Sequence, residues 1–298
     1  MTNFYLSKKN TLILLLFFTA LTTESQTIRY EITKDDPGSI CRQWIYVDPL
    51  QMDAPFRNSY GLSFNAGIWG MLLTNNKMGI DFSARYGYGT MAGLVESSAD
   101  PALQAEGALL LILSDKTNLR KNTKVVLRES RKYSYTYNSD VIVRKYIVIP
   151  AKRRNMNYAR AGAYFKRTPF KAEDNLGIGF KGNIRTAGVF VGLGNLNISN
   201  VYIKTGSGER FARSAVFRTY LDLLVAPVRS IYSGTSTPVP AGVKPLSGIL
   251  GYRFGFFAMP AERRQKGRSG ISVGAEIGSR PGEGLYATTS FMFSLSRR

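Results

Sequence analysis

The sequence predicts an all-β protein whose antiparallel strands close into a transmembrane barrel of about twelve strands, within a range of about ten to fourteen. Three observations carry this. Apolar residues alternate with Gly, Ser and Asn in long runs, no sustained helical period occurs, and an export-type leader precedes the runs.

The leader comes first. Lys8 and Lys9 precede an apolar run from Leu12 to Leu21, followed by polar residues up to Gln26. A run of about ten residues is too short for a spanning helix, which needs ~20, and suits the centre of a cleaved signal peptide, assigned here to residues 1–26. Cys41 lies too far beyond it to be a lipid-modified first residue. Residues 27–58 hold Pro37, Pro49 and Pro55 with little periodicity. They are read as a lead-in segment with a short strand near Ile40 to Val47, and 59–298 as the barrel.

From Ser59 the alternation is clear. Tyr60, Leu62, Phe64, Ala66 and Ile68 face one way and Gly61, Ser63, Asn65 and Gly67 the other; after a turn at Asn75-Asn76, Met78, Ile80, Phe82, Ala84, Tyr86 and Tyr88 oppose Gly79, Asp81, Ser83, Arg85 and Gly87. Less regular strands are predicted at 104–114, 122–137, 141–150, 156–168, 174–182, 186–197 and 210–226. The stretch from Pro227 to Pro245, with Pro238 and Pro240 inside it, reads as an exposed loop. The pattern then returns. Leu250, Tyr252, Phe254 and Phe256 form one face; Ile271, Val273, Ala275 and Ile277 another; and beyond the turn at Arg280-Pro281-Gly282, Leu285 to Leu295 a third.

Alternation alone fits a soluble two-sheet sandwich as well as a membrane barrel. The non-apolar face discriminates, because a soluble exterior is rich in Lys, Glu and Thr, whereas here it is Gly, Ser and Asn with single charges, as a narrow lumen requires. Strand lengths near the ~9–11 residues needed to cross hydrocarbon agree. So do tyrosines near predicted strand ends, Tyr86, Tyr88, Tyr133, Tyr135, Tyr137, Tyr158 and Tyr164, where interfacial girdle residues sit.

On the leader, the alternating strands and the aromatic final strand ending in Phe291, Phe293 and Leu295, residues Ser59 to Arg298 resemble the outer-membrane β-barrels of Gram-negative bacteria, in particular those of the Bacteroidota. The resemblance is to the class. It implies location in the cell outer membrane and contact with its lipid and lipopolysaccharide. The chain departs from it by ending in Ser296-Arg297-Arg298 rather than an aromatic residue.

Composition narrows the chemistry. The chain has 298 residues, no His and one Cys, which excludes His-activated nucleophiles, His metal sites and internal disulfides. No enzyme activity, cofactor or metal is expected. Lys and Arg number 40 against 20 Asp and Glu, a formal +20, and removing Lys8, Lys9 and Glu24 with the leader lowers it only to +19. Such charge seeks anionic partners; for an exported chain these are lipid phosphate, lipopolysaccharide or an envelope protein complex, not nucleic acid.

Two groups of residues are candidates for function. With apolar faces outward, Asp81, Arg85, Arg160, Lys166, Arg218, Asp222, Arg253 and Glu276 point into the lumen as an ion network, either filling the interior with satisfied charges or forming an anion-selective constriction or gate. Basic residues flanking predicted turns, among them Lys152, Arg153, Arg154, Arg263, Arg264, Lys266 and Arg268, are candidates for anion or lipid head-group binding, or are simply solvated. The expected role is a narrow pore or a structural component of an envelope complex. The alternatives are an exported module whose basic surface docks lipopolysaccharide or a partner in a secretion or motility apparatus, and a soluble periplasmic β-sandwich.

Overall fold

A computed structural model describes residues 28–40, 42–56, 62–74, 77–91, 101–134, 139–173, 179–232, 248–260 and 271–295. The predicted leader, residues 1–26, therefore lies outside the described residues. Among the described residues, apart from one 3-10 turn at Pro37–Ser39, every element is a strand.

Ten consecutive strands form a closed antiparallel ring. They are β2 (Gln43–Pro55), β3 (Leu62–Leu73), β4 (Met78–Met91), β5 (Leu103–Ser134), β6 (Ser139–Glu173), β7 (Gly179–Thr205), β8 (Arg210–Tyr232), β9 (Leu250–Pro260), β10 (Ile271–Arg280) and β11 (Gly284–Ser294). The ring closes where β11 pairs with β2, from Tyr286↔Pro55 to Ser294↔Tyr46. An eleventh strand, β1 (Tyr30–Asp35), stays outside the ring and pairs only with the tip of β7. A barrel thus replaces the sandwich alternative, with fewer strands than predicted.

The strand count falls because polar stretches were read as breaks. The predicted strands 104–114 and 122–137 are one strand, β5; 141–150 and 156–168 are one strand, β6; and the described part of 174–182 belongs with 186–197 to β7, so that three mergers and the added β2 leave ten strands in the ring. β5 and β6 stay paired from Leu103↔Arg167 to Ser134↔Ser139; the polar residues from Ser114 to Arg120 pair in register with those from Asn157 to Ala151, and the three register shifts fall at Leu113, at Lys121-Asn122 and at Leu127.

The barrel also starts earlier than Ser59. β2 lies within the segment read as a lead-in, and its alternation is disguised by Pro49. The register against both neighbours shifts between Val47 and Gln51, so the proline, which has no N–H to donate, falls in a bulge. That bulge changes which residues face inward, from Trp44, Tyr46 and Asp48 before it to Gln51 and Asp53 after it. Pro227 behaves alike. It sits where the β7–β8 register shifts between Val225 and Val228, and β8 continues to Tyr232, so the predicted loop begins later than expected; 233–247 lie outside the described residues.

The two ends of the barrel differ. At the proximal end, where β2 begins and β11 finishes, β5 and β6 run far beyond the ring. β4 follows β5 only as far as Leu111, and β7 follows β6 only as far as Arg153. The two-stranded arm left over folds against the β7–β8 tip, where Val125, Ile149 and Ala151 bury with Val201 and Ile203. β1 fills the β7 edge that β6 has left, and the Asp35 carboxylate accepts the Lys152 N–H at 2.9 Å. At the distal end the β10–β11 turn has Pro281, Gly282 and Glu283 buried, with Gly282 and Gly284 at φ of 81° and 92°, the left-handed region open to glycine.

Candidate functional site

Side chains alternate across the barrel wall, and the polarity is inverted relative to a water-soluble barrel. The outward positions hold Leu109, Leu111, Val189, Val191, Leu193, Leu221, Leu223, Phe254 and Ile277, all exposed, with Leu109 at 60% and Leu193 at 62%. The charges are inside.

The interior has two layers. Towards the proximal end it is apolar: Trp44, Tyr46, Trp69, Met71, Leu110, Met156, Leu196, Phe257 and Met292 form one buried cluster, with Trp69 stacked on Phe257 at 5.3 Å between ring centroids. Glycines make room for the rings. Tyr158 pairs across strands with Gly194 and Tyr220 with Gly255, and a Cβ at either glycine would lie 2.3 Å or 2.1 Å from the facing ring. Each tyrosine therefore lies over its partner glycine, which is how large rings fit a narrow barrel.

Beyond this layer lie the charges. Arg218, fully buried, donates to Asp81 and, at 2.8 Å, to the Tyr158 hydroxyl. Arg160 bridges Asp81 and Asp222 at 3.3 and 3.5 Å. Arg253 joins Asp222 at 2.7 Å, forms a second 2.7 Å bridge to Glu106 and approaches Glu276 at 3.7 Å. Glu276 accepts the hydroxyls of Tyr220 at 2.6 Å and Tyr286 at 2.5 Å. Arg160 and Arg253 also cover the faces of the Phe190 ring at 4.7 and 4.5 Å, favourable contacts for weakly hydrated guanidinium groups.

A second cluster lies nearer the distal end. Asp53 binds Lys166 at 2.6 Å and Arg280 at 2.9 Å, and Glu283 accepts the Thr168 hydroxyl at 2.8 Å. Arg85 pairs separately with Asp48 at 3.2 Å.

All eight residues that the sequence placed in the lumen face the interior. Six of them, Asp81, Arg160, Arg218, Asp222, Arg253 and Glu276, form one connected cluster; Lys166 joins the distal cluster and Arg85 its own pair. Sequence reasoning missed Asp48, Asp53, Glu106, Arg280 and Glu283. Glu106 and Arg280 were legible from parity, Glu106 between the outward Ala105 and Gly107, and Arg280 in step with Ser272, Gly274 and Glu276. Asp48 and Asp53 were hidden with β2. The tyrosine reading needs correction too: Tyr86 and Tyr88 do face outward, but Tyr158 and Tyr164 are buried in the interior. Tyr133 lies exposed on the arm, and Tyr135 and Tyr137 lie outside the described residues.

These ionic side chains comprise six cations (Arg85, Arg160, Lys166, Arg218, Arg253, Arg280) and seven carboxylates (Asp48, Asp53, Asp81, Glu106, Asp222, Glu276, Glu283). The interior is close to neutral, so the chain's +20 resides elsewhere. No protein-family model, curated protein or solved structure matches the chain. A cavity of about 30 Å³ lies among Asp81, Glu106, Arg160 and Arg218, room for about one or two waters.

The other candidates divide. Lys152 is exposed. Arg154 is not open to an outside anion, because it faces inward and chelates Asp115 through Nε at 2.8 Å and Nη2 at 2.5 Å. That bond holds the Asp115 carboxyl below its ordinary range and raises the Arg154 pKa. Arg153 faces the other way, beside Ser199 of β7. Arg263, Arg264, Lys266 and Arg268 lie outside the described residues.

Proposed function

We propose that the chain is a sealed outer-membrane β-barrel, a structural component of the cell envelope that carries a basic β-arm on its proximal side. The observation that supports this best is the inverted wall. A continuous outward band of Leu, Val, Ile and Phe around a ring filled with ion pairs is costly in water, where exposed apolar patches rarely exceed about 300–600 Å², and favourable in hydrocarbon. Ring closure leaves no strand edge within the band, as lipid demands.

Of the two roles that the sequence left open, the filled interior favours the structural one over the pore. Paired charges and an apolar layer in series leave no wide aqueous path, and an unpaired charge in such a space would cost several kcal/mol. The arm, with Lys116, Arg120, Lys121, Lys124, Arg128 and Arg131 along β5, supplies the surface for an acidic envelope partner.

Two measurements test this. Membrane fractions should yield a band that migrates faster unboiled than boiled, as closed barrels do, and the folded protein in planar bilayers should pass no steady current. A band that is indifferent to boiling refutes the membrane barrel; reproducible single-channel steps refute the seal.

A further inference from the structure

We propose that Arg120, Arg153 and Arg213 form a clamp for the phosphate of an anionic lipid head group on the outside of the proximal rim. This rests on the membrane reading and adds a specific ligand to it. The register places the three together. Arg153 on β6 pairs with Ser199 of β7, while Arg213 on β8 pairs with Val201, two residues along the same strand. On the other side of β6, Asn118 pairs with Arg153 and Arg120 with Ala151, so Arg120 lies diagonally across from Arg153 on the same face.

Three guanidinium groups thus meet where no carboxylate pairs with them among the described residues. Burial, then the charges of Arg120 and Arg213, lower the pKa of Arg153, and burial, then Arg120, lower that of Arg213. The Arg213 Nη1 donates to the Lys124 carbonyl at 2.8 Å, which fixes its guanidinium against the arm. The contrast with the interior is sharp: there every arginine has a carboxylate, here none does. A bound phosphate would supply the missing negative charge with two-pronged hydrogen bonds.

Position selects a lipid as the source of that phosphate. Going from the outward band towards the proximal end, β7 passes from Leu193 to Asn195 and Asn197, and β6 from Ala159 to Asn157 and Asn155. These asparagines bond one another, Asn195 Nδ2 donating to Asn157 Oδ1 at 2.6 Å. On β8 the outward Phe217, tilted against Phe256 at 5.4 Å, lies four residues on the band side of Arg213, about 13 Å along a strand. Apolar band, aromatic and amide rim, then arginine is the order in which hydrocarbon, interface and phosphate succeed one another in a bilayer.

The test uses the full chain reconstituted in phosphatidylcholine vesicles containing a minor fraction of phosphatidylglycerol, with co-purifying lipid identified by native mass spectrometry. The wild type should retain phosphatidylglycerol over phosphatidylcholine, and R153A/R213A should lose about thirtyfold of that preference while still inserting into vesicles of phosphatidylcholine alone and keeping its heat-modifiable band. R153K/R213K, which retains both charges, should keep part of the preference. Equal retention of both lipids by the wild type, an unchanged preference in R153A/R213A, or displacement of the lipid by equimolar inorganic phosphate would overturn the clamp. Failure of the wild type to insert into phosphatidylcholine would instead show that the membrane reading beneath it is wrong.

Discussion

The barrel interior and the proximal arm use the same residue types in opposite ways. Inside, Arg160, Arg218 and Arg253 are buried and each is matched by one or more carboxylates; on the arm and rim, arginines and lysines stand in excess. The difference follows from solvent. In a space with room for one or two waters, charge is tolerated only when it is paired and bonded, whereas at an exposed rim repulsion among cations is screened and can be kept for an anionic partner. A net charge of +20 therefore says nothing about the lumen, which is close to neutral, and much about the outside.

Substitutions at the two places should differ accordingly. The largest loss is expected at the centre: Arg218→Ala leaves Asp81 with only the longer Arg160 bridge in a buried site, which should cost about 3–5 kcal/mol, read as a lower urea midpoint of the heat-modifiable form in detergent. Asp81→Asn should cost a similar amount, since it leaves no cavity but strips the fully buried Arg218 guanidinium of its carboxylate. If Arg218→Ala proves as mild as a surface change, the interior is wetter than the packing indicates.

Next comes the wall. Leu193→Arg, at the outward face, should destabilise the protein in bilayers by about 2–4 kcal/mol if it lies near the midplane and by much less towards the rim, so a scan of arginine along Val189, Val191, Leu193 and Asn195 should trace the depth of the band. In a water-exposed wall the same scan would be flat. Gly194→Ala is expected to cost about 1–3 kcal/mol through overpacking against the Tyr158 ring, and Tyr158→Ala in the same chain should recover part of that cost as a non-additive pair.

The smallest effects belong to the arm. Arg144 and Glu129 meet at 2.7 Å with about half of each side chain exposed, and breaking the pair should change stability by about 1 kcal/mol or less. Asp115 is more informative for its sign. Its pKa is held below the ordinary value by Arg154, so the stabilisation is present at neutral pH and is lost as pH falls through that depressed pKa. Limited proteolysis of the arm should therefore accelerate only in strong acid, and D115N should remove the dependence.

How far the sequence could be read depended on how regular each strand is. In β4, Met78, Ile80, Phe82 and Ala84 alternate without interruption against Gly79, Asp81, Ser83 and Arg85, and both faces were legible, as were the inward positions of Arg218, Asp222 and Arg253. The alternation in β2 is broken by the bulge at Pro49, and with that strand went Asp48, Asp53 and the closure of the ring. The polar run from Ser114 to Thr123 resembles a turn but is the start of the arm, because pairing with β6 satisfies its backbone without an apolar face. Tyrosine misled for a simpler reason: its ring suits a lipid interface as well as its hydroxyl suits an ion network, although strand parity with the inward Arg160 and Lys166 already placed Tyr158 and Tyr164 inside. That Arg153 and Arg154 part company, one to the rim and one to Asp115, needs only strand parity; that Arg213 joins Arg153 needs the register.

The most direct test of the central claim is fluorescence quenching by brominated phosphatidylcholine. Trp44 and Trp69 are buried within the barrel and should be quenched weakly, whereas a tryptophan introduced by Leu221→Trp, on the outward face, should be quenched strongly in the same vesicles. A Leu221→Trp signal untouched by bromine, from protein that stays monomeric in buffer without detergent, would contradict the account.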